Sequence, residues 1–110
     1  MIRVSLQSDT RGRIKVFSCQ GHAELTVCEE DDDLLCAGVS ALCGALTIGL
    51  VQVVGASVIL NEDYGLFHLE LEEMDEEKER QSQVLLQTTV KALEELAAHN
   101  VGFIEVVYED

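Results

Sequence analysis

A chain of 110 residues with 47% hydrophobic content is the size of one globular domain able to bury a real core, and it is assigned as a single domain over 1–110. Twenty-one Asp and Glu against seven Lys and Arg give a net charge of −14. Such a surface repels phosphate backbones, which disfavours nucleic acid as a partner, and it attracts basic peptides or proteins.

Taken in order, Ile2, Val4 and Leu6 alternate with polar residues, the pattern of a half-buried strand. The opening residues lack the basic and apolar regions of a signal peptide. Four cysteines (Cys19, Cys28, Cys36 and Cys43) without such a signal read as thiols, and the cytoplasm is the natural assignment. Ser8–Gly12 is turn chemistry, and Arg13–Cys19 reads as the returning strand. Gly21-His22-Ala23 ends that strand, and residues 24–33 read as a connecting loop that turns strongly acidic from Glu29.

The acidic run stops at Asp33, and no charged residue occurs from Leu34 to Leu60. Asp33 is a good N-cap, since its carboxylate can accept from a free N–H of the first turn. That cap predicts a helix from Leu34 to about Val53, with Cys36 as its third residue. The uncharged run is long enough to span a bilayer. Acid on both flanks, no Lys/Arg asymmetry, and diluting Gly and Gln favour a buried helix followed by a strand, with no membrane partner. Small residues recur along the helix (Ala37, Ala41, Ala45, Gly49; also Ser40 and Gly44), a face that lets the sheet or a second helix approach closely.

Gly55-Ala56 breaks the helix, Ser57–Leu60 reads as a strand, Asn61–Gly65 as a hairpin turn, and Leu66–Leu71 as the return. Asp75-Glu76-Glu77 opens a second helix where the dipole favours acid. Leu86, Val90, Leu93 and Ala97 form its apolar stripe. Asn100 suits a left-handed position after it, and Phe103–Tyr108 is the last strand. The order is ββαββαβ: an α+β domain with two helices packed on a mainly antiparallel sheet.

Chemistry gathers around one sulfur. A helix N-terminus offers partial positive charge and unpaired N–H donors, which favour a thiolate at Cys36. A nucleophilic cysteine needs a base, normally histidine. His68 shares a face with Glu70 and Glu72 and reads as solvated; His99 ends the second helix, where a cation suits the dipole. His22, between Gly21 and Ala23 at a strand end, has an accessible ring. The bland readings stand beside this: a cysteine near a helix start is commonly a buried, inert thiol, and an acidic run is commonly a solvated loop. A zinc site from Cys19, His22, Cys28 and Cys36 supplies four ligands but lacks paired Cys-x2-Cys knuckles. Cys43, about two turns after Cys36, reads as a core thiol.

Gly21-His22-Ala23, an acidic loop, and then Asp33-Leu34-Leu35-Cys36-Ala37-Gly38-Val39-Ser40 resemble the ribosomal-processing cysteine protease family (Prp, also described as YsxB-like). The resemblance covers the whole chain in length and element order. It implies a Cys36–His22 catalytic dyad, Asp33 as the acid capping beside it, and Ser40 one turn along, with Gly21 in the supporting motif. It also implies a peptidase that removes a short N-terminal extension from a large-subunit ribosomal protein (number twenty-seven), a homodimer, and no metal or organic cofactor. Glu29, Glu30 and Asp31 are then expected to attract a basic substrate. The departures are the unusually acidic Glu29–Asp33 run and Leu34-Leu35 where Ile-Val is more usual. The alternative from another class is a non-enzymatic ribosome-assembly adaptor that holds basic ribosomal tails on its acidic loop.

Overall fold

In the computed structural model residues 1–21 and 30–109 are described, residues 30–33 by their backbone alone. Five strands form one sheet: β1 (Ile2–Ser8), β2 (Ile14–Gln20), β3 (Val58–Asp63), β4 (Leu66–Leu71) and β5 (Ile104–Glu109), in the spatial order β3-β4-β2-β1-β5. Three pairings are antiparallel, while β1 and β5 run parallel in the register Ile2↔Ile104 to Gln7↔Glu109. The helices are α1 (Glu30–Ile48), which continues as a π-helical segment Gly49–Val54, and α2 (Glu76–His99). The sequence-predicted order ββαββαβ is the observed one, on a mixed sheet.

The first turn is fixed by Asp9. Its Oδ1 accepts from the Arg11 and Arg13 amides at 2.9 and 3.0 Å, and Gly12 takes φ +81°. An Asx-type turn of this kind lets one side chain replace backbone partners. Alternation then sorts the faces. Ile2, Val4 and Leu6 of β1, Phe17 and Cys19 of β2, and Phe67 and Leu69 of β4 are buried beneath the helices. Arg3, Ser5, Gln7, Ser18, His68 and Glu70 lie on the opposite, open face, where they line a shallow groove.

Several sequence expectations move. Asp33 is not the N-cap: α1 begins at Glu30, so Asp33 is its fourth residue and Cys36 its seventh. The physical reason is that acid in the first turn is itself favoured by the helix dipole, so the helix reaches back into the run expected to be loop. The helix ends where expected, with Gly55 at φ +76° as its cap, but its last six residues are π-helical, which the apolar pattern does not signal. β3 runs through Asp63, leaving a two-residue turn, Tyr64–Gly65, in place of a five-residue one. Asn100 is not left-handed (φ −137°); that conformation falls to Gly102 at φ +93°.

α1 and its π-helical extension pack through Leu35, Val39, Cys43, Leu46 and Leu50, spaced as one helical stripe. Of the two glycines on the small-residue face, Gly49 alone meets a neighbour closely: a Cβ there would come within 2.9 Å of Leu85 on α2. Ala37, Ala41, Ala45 and Gly44 are exposed. Residues 34–54 are long and apolar enough to cross a membrane by length and composition. Their buried stripe is instead part of the core that includes β1, β2 and β4. α2 buries Leu86, Val90 and Leu93, and its N-cap Asp75 accepts from the Lys78 amide at 2.8 Å. Gln83, also buried, donates to the Ile14 carbonyl and accepts from the Ile14 amide, both at 2.8 Å, so a helix side chain completes the start of β2.

Candidate active site

The site is built where α1 crosses the ends of β2 and the β3–β4 hairpin. Cys36, Val39, Ser40, Cys43 and Gly44 come from α1, one face of two helical turns. Ile2, Cys19, Gly21, Glu62, Asp63 and Phe67 come from the sheet end, and together they enclose a cavity of about 320 Å³. That volume lies at the lower end for a small-molecule or side-chain pocket.

Cys36 is half-buried and packs against the core while lining this cavity. It is a thiol, as are Cys19 and Cys43. Being seventh in α1, its amide lies inside the helical hydrogen-bond ladder. The unpaired N–H groups of the helix start are about 6 to 9 Å away along the axis. The expectation that they serve as donors beside Cys36 is therefore withdrawn, and so is the dipole argument, because that field fades after the first turn. Ser40 lines the cavity one turn from Cys36, as the resemblance implies.

Gly21 is required where it is. Its φ is +94°, and a Cβ there would collide with the Met1 carbonyl oxygen. Its amide donates to the Gly65 carbonyl at 2.9 Å, tying the end of β2 to the hairpin turn. Gly21 thus stands in the cavity wall, directly before His22 in sequence. His22, Cys28 and Glu29 lie outside the described residues, as do the side chains of Glu30, Asp31 and Asp33.

The other histidines are placed elsewhere. His68 Nε2 lies 2.9 Å from Glu70 Oε1 on the open face, so the sheet separates it from Cys36. His99 Nδ1 lies 2.9 Å from the Glu95 carbonyl at the end of α2, a capping contact. Cys43 hydrogen-bonds with Cys19, which together with burial pushes its thiol far above the ordinary range, the behaviour of an inert core cysteine. Among the described residues no three His, Cys, Asp or Glu gather as a metal site. Two of the four residues considered for zinc, His22 and Cys28, lie outside that set.

Sequence reasoning missed Glu62 and Asp63 as cavity residues. The hairpin carrying them was read as a turn, and nothing local signals that β3 ends at the cavity.

Comparison with known proteins bears on this geometry. A family model described as cysteine protease Prp matches residues 1–105. The ribosomal processing cysteine protease Prp of Bacillus subtilis (strain 168) is 30% identical over 97 residues, 86% of this chain and 85% of that one. The essential ribosomal processing protease Prp from S. aureus, solved with a substrate peptide, superposes with a TM-score of 0.84 at 22% identity over 99% of this chain and all (100%) of that one. The same protease with a covalently linked product peptide gives 0.83 at 22% identity, with the same coverage (99% and 100%). At that identity the two structures carry the fold.

Proposed function

The chain belongs to the cysteine protease Prp family, and from that premise we propose that it is an endopeptidase that removes a short N-terminal extension from large-subunit ribosomal protein number twenty-seven during ribosome biogenesis. The observation that carries this reading is that Cys36 lines one cavity together with Gly21, the residue directly before His22 in sequence. The covalently linked product peptide in the S. aureus protease supports a covalent route.

In this mechanism the Cys36 thiolate attacks the scissile carbonyl and forms a tetrahedral intermediate. His22, having taken the thiol proton, gives it to the departing amine as the C–N bond breaks. A water molecule, deprotonated by His22, then hydrolyses the thioester and restores the thiol. No metal or organic cofactor enters. Ser40 and Gly21 shape the cavity, and Asp33 lies one helical turn before the nucleophile. Glu29, Glu30 and Asp31 draw in the basic substrate, and the protein works in the cytoplasm.

The enzyme acts as a homodimer. Support comes from the outer face of α1 and its π-helical extension, which from Leu34 onward has no charge and leaves Leu34 69%, Ile48 52% and Val53 78% exposed on a chain of net charge −14. Ile48→Glu should yield a monomer in light scattering; an unchanged dimer sets this face aside. The function itself is tested by incubating the protein with the extended ribosomal protein and weighing the products. Wild type should release one short N-terminal peptide and Cys36→Ala none. A stable complex without any cut points to the adaptor alternative.

A further inference from the structure

The outer edge of β3 has an address. In the sheet order β3 is terminal, and among the described residues no strand pairs with its outer side. The β3–β4 ladder tells which groups face outward. Glu72 N donates to Ser57 O at 2.9 Å, and Asp63↔Leu66 closes the two-residue turn. Hydrogen-bonded and non-bonded pairs alternate along an antiparallel ladder. Ile59, Asn61 and Asp63 therefore bond to β4, while Val58, Leu60 and Glu62 turn their N–H and C=O outward.

An open edge of this kind is a template for another strand. Two observations say which strand. First, the edge is continuous with the site, because its last residues, Glu62 and Asp63, are also wall residues of the Cys36 cavity. Second, its acid is not engaged in the Lys and Arg ion pairs seen among the described residues. Arg3, Arg13, Lys15, Arg80 and Lys91 each pair with another acid, and among the described residues no Lys or Arg pairs with Glu62 or Asp63. A second copy pairing here would add its own carboxylates to an acidic edge, which is unfavourable. A basic extended chain would neutralise it.

We infer that the substrate polypeptide binds as a sixth strand along the outer edge of β3, its basic side chains beside Glu62 and Asp63, so that the chain is led into the cavity at Cys36. This rests on the peptidase reading. Backbone pairing supplies affinity without regard to side chain, and the acidic end of the strand supplies the preference for a basic segment.

The test uses Cys36→Ala protein, so that the peptide stays whole, and a basic synthetic peptide spanning the junction between extension and body of the ribosomal protein. Should that variant not fold, wild type alkylated with iodoacetamide replaces it. Residue-resolved amide exchange is measured with and without saturating peptide. The Val58, Leu60 and Glu62 amides should slow by about tenfold or more, while those of Ile59 and Asn61, already held by β4, change little. Peptide that binds, by anisotropy, without slowing those three amides overturns the edge and leaves the peptidase reading standing. Slowing that grows with protein concentration in the absence of peptide assigns the edge to a second copy and also overturns it. Wild-type protein that fails to cut the extended ribosomal protein removes both readings.

Discussion

At the residue scale, three described cysteines in one cavity have different fates because their surroundings differ. Cys43 is held as a thiol by its hydrogen bond to Cys19 and by burial, whereas Cys36 stands half-exposed at the wall. Iodoacetamide should therefore label Cys36 and leave Cys19 and Cys43 untouched in the native protein, as peptide mapping would show. His22→Ala should lower turnover by about 10² to 10⁴, the scale for loss of a general base. His68→Ala and His99→Ala should not, since both rings are engaged away from the cavity. A His68→Ala protein as inactive as His22→Ala would refute the dyad. Acid stability also has a residue-level source. The Arg13 amide, and then that of Arg11, hold the Asp9 carboxyl below its ordinary value of 3.8. A lowered folded-state value stabilises above the unfolded one and is lost as pH falls through the folded one. The urea midpoints of wild type and Asp9→Asn should therefore differ at neutral pH and converge below about pH 3.8; parallel curves would count against this.

At the element scale, what was legible in the sequence is what alternation and helical spacing encode. The strands with clean period two, Ile2-Val4-Leu6 and Phe67-Leu69, appear with the right faces buried, and the α2 stripe Leu86-Val90-Leu93 is core. The start of α1 was misplaced because Asp33 makes a plausible cap and three plausible first-turn residues stand before it. Capping chemistry alone does not choose between such neighbours. The π-helical segment was invisible because a one-residue change in hydrogen-bond register leaves apolar composition untouched. Gln83 was equally unforeseeable: a polar residue in an amphipathic helix that proves to be a rung of β2. Replacing it with Leu strands the Ile14 amide and carbonyl in the core. The loss should be about 2 to 6 kcal/mol, given about 1 to 3 for each of the two unsatisfied groups. Urea unfolding would measure it; a change under about 0.5 kcal/mol would mean water takes over both bonds.

At the scale of the whole molecule, net charge and fold act together. On the proposed function, a chain at −14 would meet its basic substrate through long-range attraction, which salt screens over about 8 Å at physiological strength. Neutralising Glu29, Glu30 and Asp31 to Gln or Asn should raise KM and flatten the dependence of kcat/KM on ionic strength, with kcat nearly unchanged. Identical salt slopes for wild type and the triple variant would reduce the run to a solvated segment. The candidate site was half legible. The Gly-His-Ala and Asp-x-x-Cys-Ala-Gly-x-Ser stretches named Cys36, Ser40 and Gly21, which the fold does bring to one cavity. The wall made by Ile2, Glu62 and Phe67 was not, because it depends on β4 pairing with β2 and on β1 lying beneath α1, contacts between residues far apart in the chain.

The parallel pairing of β1 with β5 sets where foreign sequence can be attached. Ile2 lies beside Ile104 and Gln7 beside Glu109, so the two strands start together at the cavity end and finish together some five residues, about 17 Å, away. Met1 closes over Gly21, and Ile2 is itself a wall residue. Anything fused ahead of Met1 therefore hangs at the mouth of the cavity and competes with incoming polypeptide. A purification handle at the other terminus follows Glu109, at the opposite end of the sheet. Of two otherwise identical preparations, the one tagged at the C-terminus is the one whose kinetics report on the enzyme itself.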